Sequence, residues 1–320
     1  QFRAVHLLEG RGDLIGEGPL SLRQRMRRHA WPRLRATLEQ LVESYRPDLV
    51  QIEFMELARL IEDRVDSLPW LLSLHDVTIG VDSGECDEEQ QLLINEYAGV
   101  AVCSPEDAAL LQREDAHMVR NGATDRRSTY QQSTASPPTL LFMGPLRYGP
   151  NRSGITLFLD HAWLEVCATH PNIRLVILGG IGAKQLISNE TRFADPRIEL
   201  IDRYVDPGPY LAAATLTLNP LVDIRGSSLK LMESLLAGRV CVTTVDGARG
   251  LGDDAPAAAE ICIDITAMAA PISRLIADDE ERHRRESPLD VRLDVLTWTA
   301  SADAQAKLYE EVLAARAMLP

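Results

Sequence analysis

The stretch PLVDIRGSSLKLMESLLAGRVCVTTVDGARG, Pro220 to Gly250, carries most of the information in this chain. The apolar run Thr215 to Leu218 just before it reads as a strand. The loop Asp223-Ile224-Arg225-Gly226-Ser227-Ser228 leads into a helix from Ser227 to Ala237, which Gly238 closes. A second strand, Val240 to Thr243, follows, and then a glycine-rich loop from Gly247 to Gly252. This order aims Gly226 and the Ser227 and Ser228 amides at a helix N-terminus, where unpaired N–H groups and the helix dipole favour an anion. Arg225 and Lys230 add positive charge. Lys230 and Glu233 stand three apart and so share a helix face. The pattern is a cradle for a phosphorylated ligand, with a carboxylate nearby to accept hydroxyl hydrogen bonds. It is equally the pattern of a capped amphipathic helix with an internal ion pair.

The same alternation extends outward on both sides. After Pro138, strands are expected at Thr139–Gly144, Ile173–Leu178, Ile198–Ile201 and Ile261–Ile265, with helices at Ile155–Thr169 and Pro209–Ala214 between them. Before Arg126, strands are expected at Phe2–Leu8, Asp48–Glu53, Pro69–Leu74, Gly99–Cys103 and His117–Arg120. Helices are expected over Pro19–Tyr45 with a break at Pro32, and over Phe54–Val65. Another follows the acidic, loop-like Asp82–Glu89, and a fourth runs from the Ser104 cap to about Glu114. Apolar strands spaced by helices make parallel sheets covered on both faces, and ligands of such sheets bind beyond the carboxyl ends of the strands. Between Arg126 and Pro138 the chain has almost no large apolar residue, which reads as a linker. The expected division is therefore 1–130, a linker at 131–138, 139–298, and a C-terminal helical segment at 299–320. Two α/β domains joined this way form a cleft.

Composition sets the outer limits. The 320 residues allow about two domains at roughly 150 residues each. Thirty-three basic against 47 acidic residues give a net charge of −14, which repels a polyanion and argues against nucleic acid as a partner. No apolar run is long enough to span a membrane. The cysteines, Cys86, Cys103, Cys167, Cys241 and Cys262, are odd in number, form no C-x-x-C pair and sit mostly in apolar runs. That usage fits small core hydrophobes in a reducing, cytoplasmic compartment rather than disulfides or zinc.

The central segment resembles the donor-site motif of family 4 glycosyltransferases of the GT-B fold (glycosyl transferases group 1). Lys230, Glu233, Ala237-Gly238 and Val240–Thr243 match that family's order of basic residue, glutamate, small-residue helix end and apolar strand. Leu141–Gly144 with Tyr148–Asn151, Leu175–Gly180 and Val205-Asp206 through Ala212 follow in the family's order. So do His75-Asp76, Glu96, Val102–Ser104 and Asn121-Gly122 in the first half. The resemblance covers about Asp48 to Tyr309. It implies an α/β GT-B architecture: two Rossmann-like parallel-sheet domains facing a cleft, with donor bound on the second and acceptor on the first.

The resemblance also implies roles. Lys230 would hold the donor diphosphate and Glu233 the donor ribose hydroxyls. Arg203, Tyr204 and Val205 would line the base pocket. Gly226 and the Ser227, Ser228 and Leu229 amides would meet the diphosphate, with Gly144 and Asn151 at the opening turn of the donor domain. His75 would act near the transferred sugar and acceptor. Family members retain the anomeric configuration and generally need no metal or other cofactor beyond the nucleotide diphosphate sugar that is their donor substrate. The acceptor would be a glycan, a lipid-linked glycan or a small molecule, in bacterial envelope or exopolysaccharide synthesis. There are departures. Arg225 stands where the family often has a glutamate, and is then a candidate for phosphate contact and catalysis. Arg147 or Arg152 would replace the usual basic pair after Gly144. The first strand of the N-terminal domain and its glycine-rich loop have no counterpart, so a start at Gln1 reads as the start of a fragment or processed chain.

Other features have plainer readings. Gly179-Gly180-Ile181-Gly182 lacks the third glycine of a dinucleotide fingerprint, since that position is Gln185. Arg23, Arg25, Arg27, Arg28, Arg33 and Arg35 form a basic run: a solvated helix face, or a peripheral contact with an anionic lipid surface at the inner face of a membrane. Two alternative functions remain open at this point. One is a non-catalytic sugar-nucleotide-binding subunit that relies on a partner chain. The other is a GT-B sugar-nucleotide epimerase.

Overall fold

The structure, a computed structural model, describes Val5 and residues 21–65, 68–80, 84–134, 136–252 and 255–317. It divides into two compact units. The first holds the chain up to Cys103, Asp107–Val119 and the residues from Ala304 on; the second holds Ser104–Glu106 and Arg120–Asp303.

In the first unit, β1 (Val50–Glu53), β2 (Trp70–Leu74), β3 (Gly99–Val102) and β4 (His117–Met118) form one parallel sheet in that order. Pro32 does break the first helical stretch, giving helices Leu22–His29 and Pro32–Tyr45, with Pro32 at a first helical position where its missing N–H costs nothing. The expected strand at Phe2–Leu8 and the start of the first expected helix lie outside the described residues, apart from Val5. The segment read as an acidic loop is largely helical. Gly84–Asn95 is one helix. The helix opened by Ser104 is a single turn, Pro105–Ala108, rather than a run to Glu114. Leu308 and Val312, in helix Trp298–Ala317, pack on Leu71 and Ala101, and Tyr309 Oη donates to Gln51 Oε1 at 2.6 Å. Three arginines of the basic run are occupied in ion pairs: Arg23 with Glu89 at 2.7 Å, Arg25 with Glu56 at 3.3 Å, and Arg35 with Glu62 at 2.9 Å.

The second unit is built on β5 (Thr139–Met143), β6 (Arg174–Leu178), β7 (Ile198–Ile201), β8 (Leu216–Asn219), β9 (Cys241–Thr244) and β10 (Ala259–Cys262). All pair in parallel, in the order β10-β9-β8-β5-β6-β7. Numbered from the unit's own first strand, this is the doubly wound 3-2-1-4-5-6 arrangement. Side chains alternate faces along β5. Leu140 and Phe142 join the core under Phe158, Trp163 and Ile272, while Leu141 joins Leu211 and Ala237 on the other face. Both β8 and β9 are buried at every position, as a sheet covered on two sides requires. The helix expected at Ile155–Thr169 is two helices, Gly149–His161 and Trp163–Thr169. Gly154 permits the first to approach the sheet: a Cβ there would lie 2.2 Å from the Pro220 carbonyl oxygen.

The stretch read as a linker is part of this unit. Its polar composition is not matched by exposure. Ser133 is buried, and its backbone N–H and C=O bond to Glu286 and His283. Tyr130 Oη donates to Glu286 at 2.7 Å, and Arg239 donates to the Gln131 carbonyl at 2.8 Å. A stretch poor in apolar side chains is held because buried charged residues elsewhere satisfy its backbone. The division in contacts falls between Val119 and Arg120 instead.

Candidate functional site

Two adjoining cavities open at the carboxyl ends of the second unit's strands. One, of about 240 Å³, is lined by Met143, Gly144, Pro145, Arg203, Tyr204, Val205, Lys230 and Glu233 among others. The other, of about 290 Å³, is lined by Met143, Gly144, Pro145, Asn151, Arg225, Ser227, Ser228, Leu229 and Lys230 among others. Gly144 and Lys230 border both. Of the donor-side residues singled out in the sequence, Arg147, Arg152 and Gly226 border neither. Gly226 sits buried in the loop before, with φ of +69°, a conformation that favours glycine.

Local rules explain how the loop and helix present these groups. The helix is Leu229–Leu236, shorter at its start than expected, with Ser228 as its N-cap residue. The Ser228 hydroxyl does not cap the helix; it donates to Asn219 Oδ1 at 3.1 Å. The first amides of the helix are thus not used by that hydroxyl. Asp223 takes φ of +52° and its N–H donates to Asp246 at 2.8 Å, which turns the loop back toward the sheet. Asn121 Nδ2 donates to Ser227 Oγ at 3.0 Å.

Lys230 is half-buried, and desolvation pushes its pKa down to about 8. Among the described residues no carboxylate lies within ion-pair distance of its ammonium, so the internal pair with Glu233 does not form. Glu233 instead faces Arg126, with Oε2 3.6 Å from Nη1. That oxygen is buried and accepts no hydrogen bond. Asn151 shows the same condition. Its Nδ2 donates to the Pro145 carbonyl at 3.2 Å, while its Oδ1 is buried without a partner. A Cβ on Gly144 would lie 2.7 Å from the Asn151 side chain, so glycine is what lets that amide seat against the turn. Buried acceptors without donors are costly unless a ligand supplies them. Arg147 stacks over the exposed Tyr204 ring at 5.7 Å, at the rim of the base-side cavity.

His75 is on the first unit, directly after β2. Its Nε2 is 2.8 Å from Glu53 Oε2, and the Phe54 ring lies 4.4 Å away, tilted by 31°. Phe54 has φ of +69°, a strained value for an aromatic residue. The hydrogen bond to Glu53 outweighs desolvation and raises the His75 pKa above its ordinary value. Glu53 is raised by burial but lowered by more through hydrogen bonds from His75, Gln51 and Ser73, so it titrates low. The pair is charged when His75 is protonated. Its contribution to stability is therefore full below the ordinary histidine pKa and lost as pH rises through the raised one. Glu53→Gln is expected to move the His75 ring titration down, followed by NMR. It should lower stability by less than about 1 kcal/mol at pH 6, since the pair is part-exposed, and by less at pH 9, where the ion pair is gone.

The described cysteines Cys103, Cys167, Cys241 and Cys262 are buried free thiols, and burial raises Cys241 to about 11. The side chain of Cys86 lies outside the described residues. Among the described residues there is no group of three or more His, Cys, Asp or Glu side chains placed to hold a metal ion, and no helix long and apolar enough to cross a membrane.

Two parallel-sheet α/β units, the second with the 3-2-1-4-5-6 order and a cavity pair at its strand ends, have the architecture of the GT-B fold. Residues 137–278, within the second unit, match the family described as Glycosyl transferases group 1, a match that supports a transferase. Its fold is similar to a sucrose-phosphate synthase from Thermosynechococcus elongatus, at 17% identity and TM-score 0.69, over 90% of this chain and 79% of that one. It is similar to a UDP-forming trehalose-phosphate synthase from Burkholderia xenovorans, at 15% identity and TM-score 0.68, over 88% and 78% of the two chains. It is also similar to HepE from Anabaena in complex with UDP and glucose, at 13% identity and TM-score 0.68, over 87% and 82%. No curated protein matches the chain in sequence.

Sequence reasoning missed Arg126, which belongs to the stretch taken for a linker. Nothing in its neighbours marks it: it is one of two adjacent arginines, and only the folded chain shows which carboxylates each one meets.

Proposed function

We propose that this chain is a retaining glycosyltransferase that moves a sugar from a nucleotide diphosphate sugar to a glycan, lipid-linked or small-molecule acceptor in envelope or exopolysaccharide synthesis. The observation that carries the reading is one pair of cavities bordered by an unpaired ammonium, Lys230, and by two buried acceptors without donors, Glu233 Oε2 and Asn151 Oδ1. An ammonium suits a diphosphate, and free acceptors suit the hydroxyls of a ribose and a sugar. The fold's likeness to a protein held with UDP and glucose points the same way.

In this reading Lys230 and the amides of Ser227, Ser228 and Leu229 hold the diphosphate and stabilise the charge that builds on it as the glycosidic bond breaks. Arg225 adds charge from the same cavity wall. These groups do the work of a metal ion, so none is required. Glu233 takes the ribose, and the Arg203–Val205 turn takes the base. His75 serves the acceptor side, a role that rests on the family resemblance. Arg27 and Arg33, outside the ion pairs of the basic run, are available for peripheral contact with an anionic membrane face.

The test is isothermal titration of the chain with UDP and with GDP. One of them should bind in the micromolar range, and Lys230→Ala should weaken it by about tenfold or more. Absence of binding by both nucleotides to the unmutated chain would refute the donor assignment.

A further inference from the structure

We propose that Arg126 is a positioning residue of the donor pocket: its guanidinium faces the Glu233 and Asp206 carboxylates together and so fixes how Glu233 meets a nucleoside ribose. This rests on the reading of Glu233 as the ribose acceptor. Arg126 Nη2 donates to Asp206 Oδ1 at 3.2 Å, while Nη1 stands 3.6 Å from Glu233 Oε2. Asp206 directly follows Val205 at the base-side wall, and its Oδ1 also accepts from the Gly208 N–H at 3.0 Å. The guanidinium thus ties the base-side turn to the helix that carries Glu233.

Arg126 is itself held. Its backbone N–H donates to the Leu236 carbonyl at 3.0 Å, on that same helix, and its carbonyl accepts from the Thr129 N–H at 3.0 Å. Gly208 leaves room for it, since a Cβ there would come within 3.3 Å of Arg126 Nε and of both Asp206 oxygens.

The spacing matters as much as the charge. An arginine in a bidentate grip on Glu233 would engage both carboxylate oxygens. Here Nη1 stops short of hydrogen-bond distance, and both Nη1 and Oε2 are buried without a hydrogen-bond partner. The carboxylate is oriented, yet one oxygen remains to accept from an arriving hydroxyl. Arg126 side-chain exposure is 21% and Glu233 25%, so the attraction is only partly screened by solvent.

The test compares UDP and GDP with their 2′,3′-dideoxy counterparts by titration calorimetry. In the unmutated chain, removing the ribose hydroxyls should cost about tenfold or more in affinity, the effect of hydrogen bonds to a charged acceptor. In Arg126→Gln that penalty should fall to less than about threefold, with most of the loss in the normal nucleotide. Arg126→Lys keeps a cation but cannot span both carboxylates, and should show an intermediate penalty; it carries the test if the glutamine variant does not fold. The proposal is overturned if both variants keep the full penalty. It is also overturned if Arg126→Gln weakens normal and dideoxy nucleotides equally, which would mean that Arg126 touches base or phosphate directly. Failure of both nucleotides to bind the unmutated chain is a different result, and defeats the donor reading on which this one stands.

Discussion

Lys230→Ala is expected to reduce glycosyl transfer by roughly 10²–10³-fold while leaving the fold as stable as before, or more so. In the proposed reaction the rate effect follows from loss of a preorganised positive charge at the leaving diphosphate, a class of interaction worth about 3–4 kcal/mol in a transition state. The stability effect follows from desolvation. The ammonium borders two cavities without a carboxylate partner, and its pKa is pushed down to about 8 from an ordinary lysine value. Between pH 8 and the unfolded-state pKa of about 10.4, the unfolded chain binds the extra proton, so the lysine's destabilising effect shrinks as pH rises. Below pH 8 that effect is complete. Lys230→Met, which keeps the apolar stem, should therefore raise the melting temperature at pH 7 and lose that advantage toward pH 10.5. The same titration predicts a functional limit. Affinity for a nucleoside diphosphate in the unmutated chain should fall above pH 8 as the ammonium deprotonates, and the Met variant should lack that dependence. Calorimetric melts and nucleotide titrations across pH 6.5–10 measure both effects. Equal melting temperatures for the variant and the parent at all pH values would contradict the desolvation account.

The part of this arrangement that was legible in the sequence is the part governed by local rules. The strand before Pro220, the turn at Gly226 and the helix carrying Lys230 and Glu233 follow from periodicity and glycine placement, and they place those two residues on one cavity wall. The parallel sheets follow from apolar strands spaced by helices. Three things were not legible, each for a physical reason. The helix over Gly84–Asn95 starts inside the acidic stretch, because helix dipole and composition compete there and tertiary context decides. The stretch after Arg126 is polar yet packed, because its partners are buried charges far along the chain, such as Glu286 and Arg239. The partner of Glu233 is Arg126 rather than Lys230, because a three-residue spacing on a helix permits an ion pair without requiring one.

Glu286→Ala is expected to be the most destabilising single change in the second unit, by about 3–5 kcal/mol, the usual cost of removing one partner from a buried charged pair. Glu286 is fully buried. It accepts from Tyr130 Oη at 2.7 Å, from the Ser133 N–H at 3.2 Å and from Arg239 Nη1 at 3.4 Å. Arg239 is 1% exposed, so its guanidinium would be left as an uncompensated buried cation. Its own pKa is already lowered by desolvation, against the favourable charge of Glu286. Replacing both ends of an isolated buried pair with apolar residues is often neutral. Here it should not be. Glu286→Leu with Arg239→Leu would still strip the acceptor from the buried Ser133 N–H and the donors from the Gln131 and Ala212 carbonyls. The double variant should recover only part of the loss, and Glu286→Gln, which keeps an acceptor for Tyr130 and Ser133 but still removes the charge opposite Arg239, should lose less than Glu286→Ala. Urea unfolding of the three variants separates these cases. Full recovery in the double variant would mean that Arg239 and Glu286 form a simple pair rather than a clamp on residues 130–134. The clamp also reaches the donor pocket, since Arg126 lies just before Tyr130 on the segment it holds. Hydrogen exchange in Glu286→Gln should accordingly quicken at the amides of residues 126–134 before it quickens in β8 and β9, where every strand residue is buried.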